Sequence, residues 1–328
     1  MGIARSKFPH QFSRQSLTLQ RVLKASGYRI GLILGGDHTN FYGLAQALGP
    51  ADFYWDGSLA GSYVNDDREV LKRARALPAW DGTPTFIQFH LMSSHGLGKR
   101  EDAFGRFQPA RNYYRRGALS FDEAARVELA GNYYDNGVLQ LDSIVRELLE
   151  TLQASGYLDD ALVVITGDHG EMLGEHGEYS HASGVYAPVL DIPLIVMRHG
   201  YQGRALAQPR AHSQVDIAPT ILEELQLPIP PGWSGIPLQR AQDRDFLYFQ
   251  QAERVGLLDL RSPRQPWKVW TDIKRKQNFA FDMAADAGET ENRYSTVAPA
   301  LRSEWMLQLL PGASASNAVP EANRTPIE

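Results

Sequence analysis

Residues 163–183 read VVITGDHGEMLGEHGEYSHAS, an apolar run followed at once by a dense set of potential metal ligands and proton carriers. Asp168 and His169 come first, then Glu171, Glu175, His176, Glu178 and His181. An Asp oxygen beside a His nitrogen suits zinc, manganese or a related divalent cation. Gly167 and Gly170 flank the pair and allow close approach of backbone to a ligand. An isolated Asp-His pair at a strand end more often caps a helix or satisfies backbone groups, so the surrounding pattern carries the reading. His38 closes a second apolar run, RIGLILGGDH, and His95 a third, TFIQFHLMSSH.

These side chains need elements to position them. RIGLILGG, TFIQFHLMSSHG, ALVVITG and IPLIVMR predict strands, and the last two have the continuous apolar character of strands covered on both faces of a parallel sheet. SLTLQRVLKASGY predicts a helix that stops at Gly27. The longest helical pattern spans 122–155, with Tyr134, Val138, Leu141, Val145, Leu148 and Leu152 as its apolar stripe and Gly156 as its stop. HSQVDIAPTILEEL is a loop entering another helix, and QLPIPPGWSGIPL is a connector.

The alternation predicts an α/β fold: a doubly wound, mainly parallel sheet flanked by helices. Ligands collect at the carboxyl ends of strands in such sheets, where Asp168 and His169 fall. Short aromatic-rich runs from about residue 245 to 281 predict a small antiparallel sheet. The expected division is an α/β domain over 1–240, an antiparallel C-terminal subdomain of the same fold over 241–310, and a disordered tail over 311–328.

Composition narrows the function classes. The 328 residues are 43% hydrophobic, enough for a sizeable core, and carry a net charge of −5. A pI of about 6.0 argues against a nucleic-acid binder that works through a basic surface. With no cysteine, a metal must sit on carboxylates, imidazoles and hydroxyls. No apolar run reaches the roughly 18 residues of a membrane span, and MGIARSKFPHQFSRQ lacks the apolar centre of a secretory signal.

DHGEMLGEHGEYSH followed by VLDIPLIV resembles the sulfatase branch of the alkaline-phosphatase superfamily. It is also similar to the related phosphoethanolamine and glycerol-phosphate (lipoteichoic-acid-type) transferases of bacterial envelopes. The matching positions are Asp168 to Glu171, Gly174 to Gly177, His181 and Ile192 to Val196. TLQRVLKASGYRIGLILGGDH, FIQFHLMSSHG, QVDIAPTIL and FDMAADAGETENRY agree more weakly, so the resemblance runs from about Ser16 to Tyr294.

The resemblance implies a metal-dependent hydrolase or transferase acting on sulfate or phosphate esters, lipid- or glycan-linked ones included. It implies Asp168 and His169 as ligands of zinc, manganese or calcium, and His95, His181 and His38 as contacts to the transferred group or a second cation. Lys268, in PWKVW, stands where sulfatases often place a basic residue, although a Lys between two Trp can equally be a surface cation over an aromatic face. Glu171 and Glu175 read either as orienters of ligands or as solvated charges, and His176 and His212 as surface or structural residues.

One departure from the family pattern concerns the amino end. Members carry an early strand with a carboxylate ligand, then a Thr, Ser or formylglycine-forming Cys as nucleophile. Ser13, Ser16 and Thr18 instead read as helix caps. The expectation is an amino-terminally incomplete chain, with the first strand, the nucleophile and a membrane anchor lying before Met1. By resemblance, the full-length protein then works at the bacterial inner membrane, facing the periplasm. A noncatalytic sulfatase-fold module of the envelope is the competing reading. Retention of Asp168, His169, His95 and His181 favours the enzyme.

Overall fold

Strand β1 (Arg29–Leu34) forms from RIGLIL, and its Ile30, Leu32, Ile33 and Leu34 are at most 2% exposed. β2 (Phe53–Asp56) and β3 (Thr85–His90) pair with it in parallel on either side. The computed structural model describes residues 17–40, 44–61, 63–114, 122–182, 184–199, 211–240 and 242–310. The expected tail over 311–328, with Ser13 and Ser16, lies outside the described residues.

Alternation along β1 decides which helices cover it. Ile30, Leu32 and Leu34 face a cluster with Leu19 and Leu23 of α1 (Leu19–Ala25) and Leu222 of α6 (Ile217–Glu224). Ile33 faces the other way, against Trp55 of β2 and Val70 of α3 (Asp67–Arg75). Farther along that face, Leu71 and Ala74 of α3 meet Ile144 and Leu148 of α4 (Glu123–Ala154), with Phe89 of β3 packed on them. Helices on both faces of a parallel sheet make this the doubly wound arrangement expected from the alternation. Thr18 caps α1 as expected, accepting from Arg21 N at 3.4 Å. Short α2 (Leu44–Leu48) follows β1, and α5 (Ala187–Leu190) precedes β5.

Two expectations are corrected. β4 (Leu162–Thr166) and β5 (Leu194–Arg198) pair with each other antiparallel, in register Ile165 to Ile195, and are only partly buried. A parallel return needs a crossover of a dozen or more residues, usually a helix. Here the connection over 167–193 is long enough for a crossover but among the described residues carries no α-helix beyond the short α5, and the two strands run antiparallel.

The stripe of α4 is also displaced. Val138 is 41% exposed, whereas Asn136, Gly137 and Gln140 are buried with Ile144, Leu148 and Leu152. Asn136 and Gln140 are buried because they hydrogen-bond loop backbone, which an apolar periodicity does not register. The helix limits themselves match the sequence: Asp122 accepts from Ala125 N and Gly156 adopts a φ of 79°.

The chain divides into two compact units, residues 1–242 and 243–328. The second holds an antiparallel meander of β6 (Phe246–Gln251), β7 (Arg254–Asp259), β8 (Trp267–Asp272) and β9 (Gln277–Asp282). Leu257, Val269 and Ala280 on the sheet pack on Trp305 and Leu309 of α7 (Pro299–Leu309). Trp305 donates its indole N–H to Asp259 at 2.8 Å. β7 has no strand signal quoted from the sequence; paired on both sides within the sheet, it draws support from its neighbours. Among the described residues no helix is long and apolar enough to cross a membrane.

Lys268 of β8 is buried, not a surface cation. Its Nζ lies 2.6 Å from Glu289 Oε1, with both side chains at most 3% exposed, and 5.5 Å from the centre of the Phe249 ring. Removing one partner of such a pair leaves a desolvated charge without its counterion. Lys268→Ala therefore lowers the unfolding free energy by about 3–5 kcal/mol in urea titrations of the second unit's tryptophan signal. A loss below about 1 kcal/mol would contradict that role.

Candidate metal and anion site

The carboxyl ends of β3 and β4 meet. His90, the last residue of β3, has Nε2 4.0 Å from Asp168 Oδ2, and His169 Nε2 lies 3.5 Å from the same oxygen. The backbone of this turn is fixed from two sides. Gln214 Nε2 donates to the carbonyl of Asp168 at 2.6 Å, and Gly170 N donates to Val189 O at 2.8 Å. A Cβ on Gly170 would stand 2.0 Å from Pro188 O, so only glycine fits there.

The described hydrogen bonds set the tautomer of each imidazole, because a ring nitrogen facing a carbonyl must donate and one facing an N–H must accept. His169 Nδ1 sits 2.9 Å from Gly170 O, and His90 Nδ1 2.8 Å from Gly35 O. With that proton on Nδ1, the other nitrogen of His169, Nε2, is the one that can offer a lone pair. In His90 burial opposes the charge, but Asp168 facing Nε2 and the Gly35 carbonyl outweigh it and hold the imidazole above its ordinary value. His181 Nδ1 lies 2.6 Å from the Glu171 carboxylate, so it donates there and presents the lone pair at Nε2. His95 is opposite: Leu97 N–H donates to its Nδ1 at 3.0 Å, which puts the proton on Nε2.

The rings form a row. His169 and His181 have centroids 4.1 Å apart, and His181 and His95 5.3 Å. One ligand atom each from His169, Glu171 and His181 fall within 4.8 Å of one another. Two imidazole nitrogens and a carboxylate oxygen at that spacing suit a divalent cation, and Asp168 stands at the edge of the same set. His95 lies beyond His181 in the row, with its remaining N–H on Nε2.

Glu171 is 8% exposed and is the hub of the site. Burial opposes its charge, but hydrogen bonds from His181 and from Tyr113 hold its carboxyl below the ordinary glutamate value. Tyr113 donates to it at 2.5 Å, and burial together with that carboxylate pushes the Tyr113 hydroxyl up. The Tyr114 hydroxyl lies 3.2 Å from His181 Nδ1. Asp168 is likewise held below the ordinary range: burial works against it, and His90 and His169 outweigh burial. Burial pushes the His95 imidazole down, which keeps it neutral and its tautomer defined.

His38 belongs to the other end of the row, its ring 4.7 Å from that of His90. Its loop hangs on Asp56, whose Oδ2 accepts from the N–H groups of His38 and Thr39 at 3.0 and 2.7 Å. Lys268 lies in the second unit, paired with Glu289.

Glu175 accepts from Leu173 N within its own loop, and His176, at a φ of 55°, stacks 3.8 Å from the Tyr186 ring. His212 is exposed. Sequence reasoning passed over His90, Tyr113 and Tyr114. His90 stood in the quoted strand, five residues before His95. The two tyrosines lie in a loop with no periodicity to mark them.

Comparison with known proteins adds an independent line. A profile of the family described as Sulfatase matches residues 2–227. Arylsulfatase K of Mus musculus is 33% identical over 166 residues, covering 46% of this chain and 30% of that protein. Choline-sulfatase of Rhizobium meliloti (strain 1021) is 30% identical over 160 residues, 45% of this chain and 30% of that protein. The matched stretch thus spans under a third of these relatives. The crystal structure of the phosphonate monoester hydrolase of Agrobacterium radiobacter superposes with a TM-score of 0.63 at 16% identity, covering 92% of this chain and 81% of that one.

Asp56 generates a pH prediction. Burial opposes its charge, but bonds from Ser58, Tyr54 and Thr39 win and bring its carboxyl from 3.8 to about 2. A depressed folded-state pKa stabilises above the unfolded value and ceases to do so as pH falls through the folded one. The stability advantage of wild type over Asp56→Asn therefore shrinks by about 2 kcal/mol between pH 6 and pH 2 in denaturant titrations. An advantage independent of pH would contradict the assignment.

Proposed function

Because the chain belongs to the sulfatase family, a branch of the alkaline-phosphatase superfamily, we propose that it is a metal-dependent hydrolase or transferase of sulfate or phosphate esters. What carries this reading is the division of tautomers within one row. His169 and His181 present lone pairs beside Glu171, and His95 presents an N–H next to them. A cation and the oxyanion it holds need these two kinds of group in this order.

Asp168 and His169 are the metal ligands in this proposal, and His181 with Glu171 completes a donor set within reach of the same ion. The nitrogen-rich set favours zinc, then manganese; calcium prefers an all-oxygen shell. When bound, the cation neutralises nonbridging oxygens and lowers the pKa of an attacking hydroxyl. The chain's own residues do the remaining work. His95 Nε2–H donates to a nonbridging oxygen. Glu171 and Tyr113 fix the ring of His181, and Asp56 fixes the loop bearing His38. We assign no nucleophile among the described residues.

Sulfate esters come first as substrates, since the two relatives described above are named as sulfatases. Phosphate monoesters share the tetrahedral centre and three nonbridging oxygens that the site would read. A lipid- or glycan-linked ester, a role for Lys268 at the transferred group, and a location at the bacterial inner membrane facing the periplasm rest on the family resemblance alone. A noncatalytic envelope module is the weaker reading. It gives no physical reason to keep Glu171 buried and bonded to both His181 and Tyr113.

The test has two arms. The chain is dialysed separately against zinc, manganese and calcium, and metal is counted by mass spectrometry. Wild type retains about one equivalent of zinc and the Asp168→Ala, His169→Ala double variant retains none. Inorganic sulfate and phosphate are then titrated calorimetrically into zinc-loaded protein, where His95→Ala weakens binding by about tenfold or more through loss of a charge-assisted hydrogen bond. Equal metal content in wild type and double variant would sink the proposal.

A further inference from the structure

His95 sits in a loop, yet a hydrogen-bond donor useful to a tetrahedral anion must be held to a fraction of an ångström. The loop has two feet. At the first, Asp67 at the start of α3 accepts from Met92 N at 2.8 Å, from Ser93 N at 2.7 Å and from Ser93 Oγ at 2.5 Å. At the second, Gln140 of α4 donates to Lys99 O at 2.9 Å and accepts from Glu101 N at 2.9 Å. The feet are joined, because Gln140 Nε2 also donates to Ser93 Oγ at 3.0 Å, which directs the Ser93 hydroxyl proton to Asp67.

Asp67, Ser93 and Gln140 are each 1% exposed. Burial pushes the Asp67 carboxyl up, against the bonds from Ser93 and Met92. A desolvated carboxylate whose contacts are backbone amides and one hydroxyl is costly in a fold and does nothing for an apolar core. Its bonds all go to the first foot of one loop.

Between the feet the chain is left one conformation. His95 N donates to Met92 O at 3.0 Å, and Gly98 N donates to His95 O at 2.9 Å. In that turn Leu97 N–H meets His95 Nδ1, the contact that puts the ring proton on Nε2. Arg100 closes it from outside, donating to the carbonyls of His95 and Gly98 at 3.3 Å each. Gly137 of α4 makes the space, since a Cβ there would stand 2.4 Å from Ser93 O.

We propose that Asp67 is a positioning residue of the site: through Ser93 and Gln140 it clamps both feet of the 93–101 loop and so fixes His95 with its Nε2–H toward the anion. This deepens the preceding proposal and rests on its reading of His95 as the anion's donor. Asp67 itself touches neither metal nor substrate.

The experiment separates clamp from function. Amide hydrogen exchange is followed by NMR in the full chain for wild type, Asp67→Ala, Asp67→Asn, Ser93→Ala, Gln140→Ala and, as control, Asp122→Ala. Asp122 caps α4 by accepting from Ala125 N at 2.9 Å, so its loss weakens the same helix without touching the loop feet. Protection of the Leu97 amide, which reports the bond to His95 Nδ1, falls about tenfold or more in Asp67→Ala and Gln140→Ala. Asp67→Asn, which keeps one acceptor oxygen, recovers most of it, and Asp122→Ala leaves it at the wild-type level relative to β1 amides.

The same variants are then titrated with inorganic sulfate. A drop in affinity that tracks Leu97 protection across the series supports the positioning role, which mere destabilisation would not reproduce in the control. Leu97 protection unchanged in Ser93→Ala and Gln140→Ala overturns the clamp, even if Asp67→Ala fails to fold. Lost protection in a protein that binds no sulfate at all, wild type included, keeps the clamp and refutes the function proposed above.

Discussion

A chain leaving a buried strand must find partners for backbone amides that the sheet no longer satisfies, and that requirement governs this site. Here carboxylates meet it. Asp56 takes the amides of His38 and Thr39 beyond β1, and Asp67 takes those of Met92 and Ser93 beyond β3. A buried carboxylate accepting several N–H and O–H bonds is fixed in place, and so is the loop that supplies them. Beyond β4 the pattern changes: Glu171 takes an imidazole and a phenol instead, and the main chain is held by Gln214 and Val189. The loops with least regular structure thereby become the ones with least freedom.

That rigidity lets histidines differ from one another. All are the same side chain, and their difference comes from what faces Nδ1: a carbonyl for His90 and His169, a carboxylate for His181, an amide for His95. His169 and His181 can give an electron pair through Nε2 and His95 a proton, while His90 turns its Nε2 to Asp168. A cation and an oxyanion side by side require such an alternation, and it follows from loop geometry without any shift in composition.

Much of this was legible in the sequence because it depends on local signals. β1, β3 and β4 are apolar runs, α4 begins at Asp122 and stops at Gly156, and the DHGE segment carries its own glycine, which Pro188 leaves no room to replace. The strand-end rule then marked Asp168 and His169, the family resemblance added His95 and His181, and the structure brings these four together. What escaped was non-local or polar. The antiparallel pairing of β4 with β5 joins strands across a long connection that leaves no local signal, and the buried face of α4 is carried partly by Asn136 and Gln140, which look like surface residues to any hydrophobicity reading. Tyr113 reaches Glu171 across 58 positions, a separation that leaves no trace in spacing.

The central claim is that His169 and His181 present Nε2 to one cation beside Glu171. Cobalt(II) tests it most directly, because it substitutes for zinc and its visible bands report both geometry and nitrogen ligation. Titrated into the metal-free chain, cobalt should give an intense tetrahedral or five-coordinate spectrum that saturates near one equivalent, weakens in His181→Ala and disappears in His169→Ala. Only the faint spectrum of the octahedral aqua ion, the same in all of these proteins, would contradict the account.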